Sequence, residues 1–436
     1  MKNKIPVFAV NLIGRKDRFV HICNEFHNKD EFELKVLQAK PHNNGAIGLW
    51  ENIVQIIKEA SERKLGYIIL CEDDHQFSKK YSPSFLHESI NAAEQRGADV
   101  LLCGVSWFKS ALQVSDHLFW VNKFSGLQFT VIFSKFFAKI LEADFMAGDA
   151  ADYKISALTK SKFLMAPFIS TQKEFGYSDV TYKNNEKGYI NKIFRSTKLG
   201  VSQLAKVKKH YQLIPVQTDV DETAYDEFVL PAYIICTSGS DNGRQMISQQ
   251  FENKAEFNKV FVDYCENTKP AVGLWNTIVN VIHLAIKNDD DVILICQEDH
   301  EFTTEYNREL MFNHIVAGHQ QGVELISGGA AVLGQVVPIG SGRFWTNPLS
   351  SIQFIIVYRS LFERIINFTF RSHHVVENVL SLLTSNKILL HPFISVGKAT
   401  GQIIGIENDK SKESDLFVVA RDELALLNNA YLEYCQ

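Results

Sequence analysis

The chain contains two copies of one sequence pattern, and this repeat constrains its fold more than any other feature. Residues 46–50 read AIGLW and residues 271–275 read AVGLW, which is an offset of 271 − 46 = 225 positions. The same offset relates Trp120 to Trp345, and it relates PFIS at 167–170 to PFIS at 392–395. A constant register over about 120 positions predicts two copies of one fold.

Length and composition agree with a two-domain globular protein. A chain of 436 residues exceeds one ordinary core, and 46% hydrophobic with 22% charged residues is typical of globular proteins. We predict domains at 1–195 and 232–436, joined by a linker at 196–231 that does not follow the repeat. The linker is basic around Lys206, Lys208 and Lys209. This stretch could contact a membrane surface or an anionic substrate, although a solvated helix face is preferred.

Charge and cysteine usage narrow the partners and the location. A net charge of −5 gives no global attraction to nucleic acid. The seven cysteines form no C-x-x-C pair, and Cys71 and Cys296 lie in apolar runs, as buried thiols do in a reducing compartment. The first five residues lack the apolar core of a signal peptide, and no apolar run reaches the roughly 18 residues of a membrane span. We therefore expect a cytoplasmic protein without a transmembrane segment.

Buried strands alternate with helices in the first copy. Apolar runs at 6–10, 67–71, 100–103 and 128–133 predict strands, and residues 47–60 carry helical spacing, with a further helix at 135–142. This alternation predicts an α/β domain with a Rossmann-like, mostly parallel sheet. Ligands of such sheets bind at the carboxyl ends of the strands.

An acidic cluster lies at one of these ends. Glu72, Asp73 and Asp74 follow the run at 67–71. Two carboxylates at a strand end suit Mn²⁺ or Mg²⁺, and alternation along an extended segment predicts that Glu72 and Asp74 point to one side as metal ligands, with Asp73 on the other. A simple acidic loop that caps the strand remains the alternative. The second copy has Gln297 in place of Glu72.

Two arginines follow the first strand. Arg15 and Arg18 could bind a diphosphate or a nucleoside, or they could be surface residues of a helix. In the second copy the equivalent stretch, 237–244, has lost the Arg-x-x-Arg pattern. Loss of these arginines together with Glu72 is what an abandoned nucleotide-diphosphate site would show.

Asp149 and Asp152 precede a further helical run. Either could be an N-cap, and either could be a general base that deprotonates an acceptor hydroxyl. The equivalent positions of the second copy are His374 and Glu377.

Together these residues resemble glycosyltransferase family 25. The family's opening motif stands here as Asn11-Leu12 followed by Arg15, Asp17 and Arg18, and its Glu-Asp-Asp motif stands as residues 72–74. A later aspartate matches Asp152, and a closing segment matches Gln172 through Ser178-Asp179. The resemblance covers roughly residues 5 to 185 in the family's order. Leu49-Trp50 replaces the family's Ser-His, and Ile403-Ile404 of the second copy replaces Ser178-Asp179.

The resemblance implies two tandem GT-A-like domains and a metal-dependent, inverting transfer of a hexose, with galactose a candidate, from a UDP-sugar. The acceptor would be a hydroxyl of a glycan or a lipid-linked sugar, as in lipopolysaccharide synthesis. The implied roles are catalysis by Asp152 or Asp149, Mn²⁺ or Mg²⁺ binding by Glu72 and Asp74, and nucleotide-sugar binding by Asn11, Arg15, Arg18, Asp73, Gln172, Ser178 and Asp179.

The second copy leaves two alternatives open. It could be a degenerate partner of a catalytic first copy, or both copies could be active. A non-catalytic carbohydrate-binding protein on the same fold is a third possibility. Trp107, Trp120 and Trp345 could then stack on sugars, although core positions are the commoner place for such side chains.

Overall fold

The structure is a computed structural model that describes residues 4–177, 182–214, 216, 225, 227–237, 239, 241–397 and 413–435. Among these residues, no helix is long and apolar enough to cross a membrane. The chain forms two compact units, Met1–Ala205 with Ala430–Gln436, and Lys206–Asn429.

The first copy begins with a strand and alternates strands with helices. Its described strands are β1 (Ile5–Leu12), β2 (Phe32–Ala39), β3 (Tyr67–Glu72), β4 (His75–Phe77), β5 (Val100–Leu102), β6 (Trp107–Phe108), β7 (Ala111–Gln113), β8 (Leu118–Val121), β9 (Phe124–Ser125), β10 (Phe129–Phe133), β11 (Lys162–Met165) and β12 (Ser170–Gln172). Its helices are α1 (Lys16–Phe26), α2 (Gly45–Glu62), α3 (Pro83–Gln95), α4 (Phe137–Leu141), α5 (Ala151–Leu158) and α6 (Tyr189–Gln212), with 3₁₀ turns at Ser134–Phe136 and Tyr182–Asn185.

The second copy follows the same order. Its described strands are β13 (Leu230–Cys236), β14 (Phe257–Asp263), β15 (Val292–Gln297), β16 (His300–Phe302), β17 (Leu325–Ser327), β18 (Gln335–Gly340), β19 (Arg343–Asn347), β20 (Phe354–Tyr358), β21 (Lys387–Leu390) and β22 (Ser395–Gly397). Its helices are α7 (Asp241–Gln250), α8 (Pro270–Lys287), α9 (Arg308–Gln320), α10 (Arg359–Ile366), α11 (Val376–Leu383) and α12 (Glu413–Cys435).

Each copy builds one eight-stranded sheet from its described strands. The orders are β2-β1-β3-β10-β5-β11-β8-β7 and β14-β13-β15-β20-β17-β21-β19-β18, so equivalent strands occupy equivalent places. The pairings give six strands of the first sheet one direction, and only β10 and β8 run against them. The predicted α/β class with mostly parallel sheets in tandem is confirmed, and it is consistent with GT-A-like domains.

Side-chain contacts also recur at the offset of 225 residues. His75 Nδ1 lies 2.8 Å from Ser170 Oγ, and His300 Nδ1 lies 2.8 Å from Ser395 Oγ. Trp120 Nε1 donates to the Lys160 carbonyl, and Trp345 Nε1 donates to the Ser385 carbonyl. The repeat is therefore a repeat of the packed structure as well as of the sequence.

Helix α2 shows why the sequence forms its elements. The Asn44 side chain accepts hydrogen bonds from the backbone N–H groups of Ala46 and Ile47, which satisfies donors at the helix N-terminus. The apolar face then buries Trp50, Ile53, Ile56, Ile57 and Ala60. Burial of apolar surface contributes about 25 cal/mol of stabilisation per Å², so this face holds the helix against the sheet.

The predicted linker at 196–231 begins inside a helix. Helix α6 continues to Gln212, and the boundary between the two compact units falls within it, after Ala205. Lys206, Lys208 and Lys209 therefore lie on a helix. The boundaries 1–195, 196–231 and 232–436 stay a prediction.

Candidate functional site

A cleft of about 830 Å³ opens at the carboxyl ends of β1 and β3 in the first copy. Its walls come from the end of β1, the start of α2, the turn after β3, the β6–β9 ribbon, the start of α5 and Gln172. The volume lies within the range of small-molecule sites, and the position is the one that open α/β sheets use for ligands.

The acidic cluster occupies one wall of this cleft. Glu72 is the last residue of β3, and Asp73 and Asp74 form a turn before β4. Because the strand ends at Glu72, alternation does not extend to Asp74, and the expectation that Asp73 points away is wrong. All three residues line the cleft.

Arg18 joins the two aspartates. Its Nη1 lies 3.0 Å from Asp73 Oδ1 and 2.7 Å from Asp74 Oδ2, and its Nη2 donates to the Tyr177 carbonyl at 2.8 Å. The guanidinium lies 4.8 Å and 4.7 Å from the ring centroids of Phe175 and Tyr177, within cation–π distance. Burial lowers the pKa of Arg18, but the charges of the two aspartates outweigh it and raise that pKa above its ordinary value. Arg18 is thus a buried cation that sets the position of both carboxylates.

Asn11, Gln172 and Arg15 complete this network. Asn11 Nδ2 donates to Asp73 Oδ2 at 2.9 Å, and Gln172 Nε2 donates to Asp74 Oδ2 at 3.0 Å. Arg15 Nη1 lies 3.9 Å from Asp73 Oδ2, and its side chain is more exposed than that of Arg18. The structure therefore brings these predicted residues to one place. Ser178 and Asp179 lie outside the described residues.

Glu72 and Asp74 both line the cleft with carboxyl groups that burial perturbs. Asp74 Oδ1 is buried and has no hydrogen-bond partner. Burial and then the carboxylates of Asp74 and Asp152 raise the pKa of Glu72 well above its ordinary value. Burial also raises the pKa of Asp74 to about 6, although Arg18 opposes that shift.

These oxygens fit a hard divalent cation in part. Among the described residues, no group of three or more His, Cys, Asp or Glu side chains is arranged to hold a metal ion. Mg²⁺ commonly takes only one or two protein carboxylates and completes its shell with substrate phosphates and water. Asp74 Oδ1 and Glu72 match that smaller donor set.

Asp152 and Asp149 differ in where they lie. Asp152 lines the cleft, where its Oδ2 accepts from Ser125 Oγ at 2.7 Å and from the Gly126 N–H at 2.9 Å. Asp149 accepts from the Met146 N–H and from Lys154 Nζ, and these contacts lower its pKa. The N-cap interpretation of both residues is wrong, because α5 has Ala150 at its N-cap and no side-chain cap.

Tyr153, Phe175 and Tyr177 are aromatic side chains of the site that were not predicted from the sequence, and Trp107 was considered as a sugar contact with a core position preferred. Trp107 and Tyr153 line the cleft, and the Phe175 and Tyr177 rings contact Arg18. Trp120 and Trp345 are core residues at 2% and 3% exposure, whereas Trp107 is 43% exposed. The one available signal was that Trp107 has no tryptophan partner in the second copy, unlike Trp120.

His75 is not a cleft residue. Its ring is fully buried, stacks on Phe129 at 4.5 Å between centroids and bonds Ser170. His300 of the second copy also bonds a serine, Ser395, and packs on Phe354 with ring centroids 5.0 Å apart, which indicates a packing role for this histidine in both copies.

The second copy has other residues at the equivalent positions. Cys236 stands for Asn11, Gly243 for Arg18, Gln297 for Glu72 and Gly397 for Gln172. Glu298, the counterpart of Asp73, accepts hydrogen bonds from the Thr237 N–H and hydroxyl. The counterpart of Arg15, at position 240, lies outside the described residues. Hydrogen bonds from Thr237 to Glu298 thus stand where Asn11 and Arg18 hold Asp73 in the first copy.

Comparison with known proteins leaves the family open. No family model and no curated protein matches the chain, so the resemblance to glycosyltransferase family 25 stays a proposal. Solved structures that match include the mannosyltransferase PcManGT from Pyrobaculum calidifontis with GDP-Man and Mn²⁺, at 11% identity over 53% of this chain and 77% of that chain, with a TM-score of 0.28.

Two further solved structures match with similar TM-scores. A protein from STIV matches at 16% identity over 39% of this chain and 86% of that chain, with a TM-score of 0.28. Apo UDP-glucose pyrophosphorylase matches at 10% identity over 44% of this chain and 82% of that chain, with a TM-score of 0.26. Likenesses this small carry no conclusion about the function of the chain.

Proposed function

We propose that the first copy is a metal-dependent, inverting glycosyltransferase that moves a hexose, with galactose a candidate, from a UDP-sugar to an acceptor hydroxyl of a glycan or lipid-linked sugar. The observation that carries this proposal is the cleft in which Glu72, Asp73 and Asp74 lie together with Asp152. The resemblance of residues 5–185 to glycosyltransferase family 25 supports it.

The donor end of the cleft would be the acidic turn. Asp74 through Oδ1, with Glu72, would hold Mn²⁺ or Mg²⁺, which offsets the charge of a diphosphate leaving group. Arg18 is occupied by Asp73 and Asp74, so its role in this proposal is to position the carboxylates rather than to touch the nucleotide. Arg15, which is partly exposed beside Asp73, is the better candidate for a nucleotide contact, with Asn11, Gln172, Ser178 and Asp179 in support.

The acceptor end would be Asp152. Its carboxylate takes the proton of the acceptor hydroxyl while the acceptor oxygen bonds to the anomeric carbon and the bond to the nucleoside diphosphate breaks. Hydrogen bonds from Ser125 and Gly126 to Oδ2, and from the Tyr153 N–H to Oδ1, fix its orientation. Asp149 is turned to Met146 and Lys154 instead, so Asp152 is preferred as the base.

The second copy is proposed as a non-catalytic partner. Gly243 and Gly397 have no side chain to donate the hydrogen bonds that Arg18 and Gln172 give to Asp73 and Asp74, and Cys236 offers only a weak thiol donor in place of the Asn11 amide. A second active site is the alternative, since Glu298 and Asp299 remain.

Titration calorimetry of UDP with and without Mn²⁺ tests this proposal. We expect metal-dependent binding to the wild type and a loss of at least about tenfold in Asp74→Asn, which removes one ligand charge. Asp299→Asn is the matched control at the equivalent position and should bind UDP as the wild type does. Absence of UDP binding both with and without Mn²⁺, or wild-type affinity for UDP in Asp74→Asn, would contradict the proposal.

A further inference from the structure

Two exposed aromatic side chains lie beside Asp152. Trp107 is 43% exposed and Tyr153 is 53% exposed, and both line the cleft. Their ring centroids are 6.5 Å apart with planes at 65°, so they form one edge of the cleft, here named the aromatic platform. Large apolar side chains exposed in a concave site are a mark of ligand contact rather than of core packing.

The backbone fixes the platform relative to the carboxylate. Trp107 pairs with Ser125 across the β6–β9 ribbon, and the Ser125 hydroxyl donates to Asp152 Oδ2. Tyr153 follows Asp152 in the chain, and its N–H donates to Asp152 Oδ1 at 2.8 Å. The Thr197 hydroxyl of α6 also holds this ribbon through the Ser106 carbonyl at 2.8 Å. The Trp107 ring is therefore connected to the proposed base through its strand partner Ser125, and the Tyr153 ring belongs to the residue that follows the base in the chain.

The second copy keeps the position and loses the aromatics. Val332 replaces Trp107 and Asn378 replaces Tyr153. Val332 is 57% exposed, and its N–H donates to the Ser350 hydroxyl, where Ser350 is the counterpart of Ser125. The fold therefore does not require an aromatic ring at this exposed site. The rings occur only in the copy that also has Glu72, Arg18 and Asp152.

Resting on the proposed function, we infer that the aromatic platform binds the acceptor and that the acceptor presents a pyranose ring. The C–H face of a pyranose packs on an aromatic ring, while its hydroxyls need polar partners at the edge. Asp152 supplies such a partner beside both rings. A ring seated on Trp107 and Tyr153 would thus place one hydroxyl at Asp152, and an acceptor without a sugar face would not be held.

Quenching of tryptophan fluorescence can report selectively on the aromatic platform. The chain has five tryptophans, and the other four, Trp50, Trp120, Trp275 and Trp345, are at most 5% exposed. Acrylamide should therefore quench mainly Trp107. The probes are methyl pyranosides of the common hexoses and N-acetylhexosamines with their disaccharides, added to the full chain with UDP and Mn²⁺.

We expect at least one of these sugars to protect Trp107 from acrylamide. In Tyr153→Ala the sugar concentration needed for this protection should rise about tenfold or more. In Trp107→Ala the Kd for the sugar, measured by calorimetry, should rise to the same degree. UDP affinity should stay at its wild-type value in both variants. Val332→Ala and Asn378→Ala are the matched controls from the second copy and should change neither binding.

The outcomes separate this inference from the proposed function. UDP binding without any sugar protecting Trp107, or sugar binding that survives both alanine substitutions, would overturn the platform and leave the proposed function standing. Sugar protection without UDP binding under any metal condition would overturn the proposed function and keep the aromatic platform only as a sugar-binding site. Failure of both bindings would overturn both.

Discussion

Two arginines three positions apart have different environments. Arg18 is buried between Asp73 and Asp74, whereas Arg15 lies at the cleft wall with its Nη1 3.9 Å from Asp73. A buried cation that serves two carboxylates leaves unpaired charge when it is removed, and a partly exposed one leaves much less. The two side chains therefore make separable contributions to stability and to binding.

Arg18→Gln should lower the free energy of unfolding by about 3–5 kcal/mol, because it leaves Asp73 and Asp74 buried without their cation. Arg15→Gln should lower it by about 1 kcal/mol or less and should weaken UDP binding about tenfold. Urea unfolding followed by circular dichroism, with calorimetry of UDP, measures both. Equal destabilisation by the two substitutions would contradict these roles.

The choice between Asp152 and Asp149 is also tested one residue at a time. Asp152→Asn should reduce the rate of UDP release from UDP-galactose by about 10²–10⁴-fold, since the amide cannot accept the proton, while UDP affinity is kept. Asp149→Asn should leave that rate within a few fold and serves as the control. A larger loss in Asp149→Asn than in Asp152→Asn would reverse the assignment.

Elements were predictable where a run of apolar residues or a helical spacing was long. The runs at 6–10 and 67–71 correspond to β1 and β3, and the helix predicted at 47–60 corresponds to α2. The direction of β10 and β8 was not predictable, because a buried strand reads as an apolar run whether its neighbours are parallel or antiparallel. The turn at 73–74 was missed because strand alternation was extended past Glu72, although aspartates favour turns.

One recurring element joint lies between α5 and β11, and between α11 and β21. Lys162 and Lys387 begin these strands and are buried, and their Nζ groups donate to the Thr159 and Thr384 carbonyls at the ends of the preceding helices. A cation at a helix C-terminus is favourable, but burial lowers the pKa of both lysines to about 8.

This joint predicts a pH dependence of stability. Between pH 8 and 10.5 each lysine is protonated in the unfolded chain and loses its proton in the folded one. The unfolded state then binds more protons, so stability rises with pH in this window, by at most about 1.4 kcal/mol per pH unit for each lysine. Lys162→Met and Lys387→Met should each reduce that slope in urea unfolding.

The control for this slope is an exposed lysine on α6, Lys192. Lys192→Met should leave the slope unchanged, because its removal changes no buried charge. A slope that persists at its full value in both Lys162→Met and Lys387→Met would show that these lysines do not titrate with folding as stated.

At the scale of the whole molecule, the repeat predicted from the sequence matches the structure down to single hydrogen bonds. The distances His75 Nδ1–Ser170 Oγ and His300 Nδ1–Ser395 Oγ are equal. Trp120 and Trp345 each donate a hydrogen bond to the backbone carbonyl 40 residues further along the chain. The residues that make such scaffold contacts recur in both copies, so they can be recognised in the sequence. Site contacts such as Arg18 with Asp73 and Asp74 join residues about 55 apart, and no local pattern encodes them.

The two copies differ most in the residues of the cleft. One copy has a carboxylate-lined cleft with Arg18, Asp152 and an aromatic platform, and the other has Gly243, Glu377 and Val332 at those positions. A duplicated fold with one equipped copy should bind one nucleotide per chain.

Equilibrium dialysis of labelled UDP with Mn²⁺ against the full chain measures this stoichiometry most directly. We expect one UDP per chain at saturation in the wild type and in Asp299→Asn. At the same free UDP concentration Asp74→Asn should bind clearly less UDP, because its affinity is at least about tenfold lower. Two UDP per chain, or one that persists in Asp74→Asn and disappears in Asp299→Asn, would contradict this expectation.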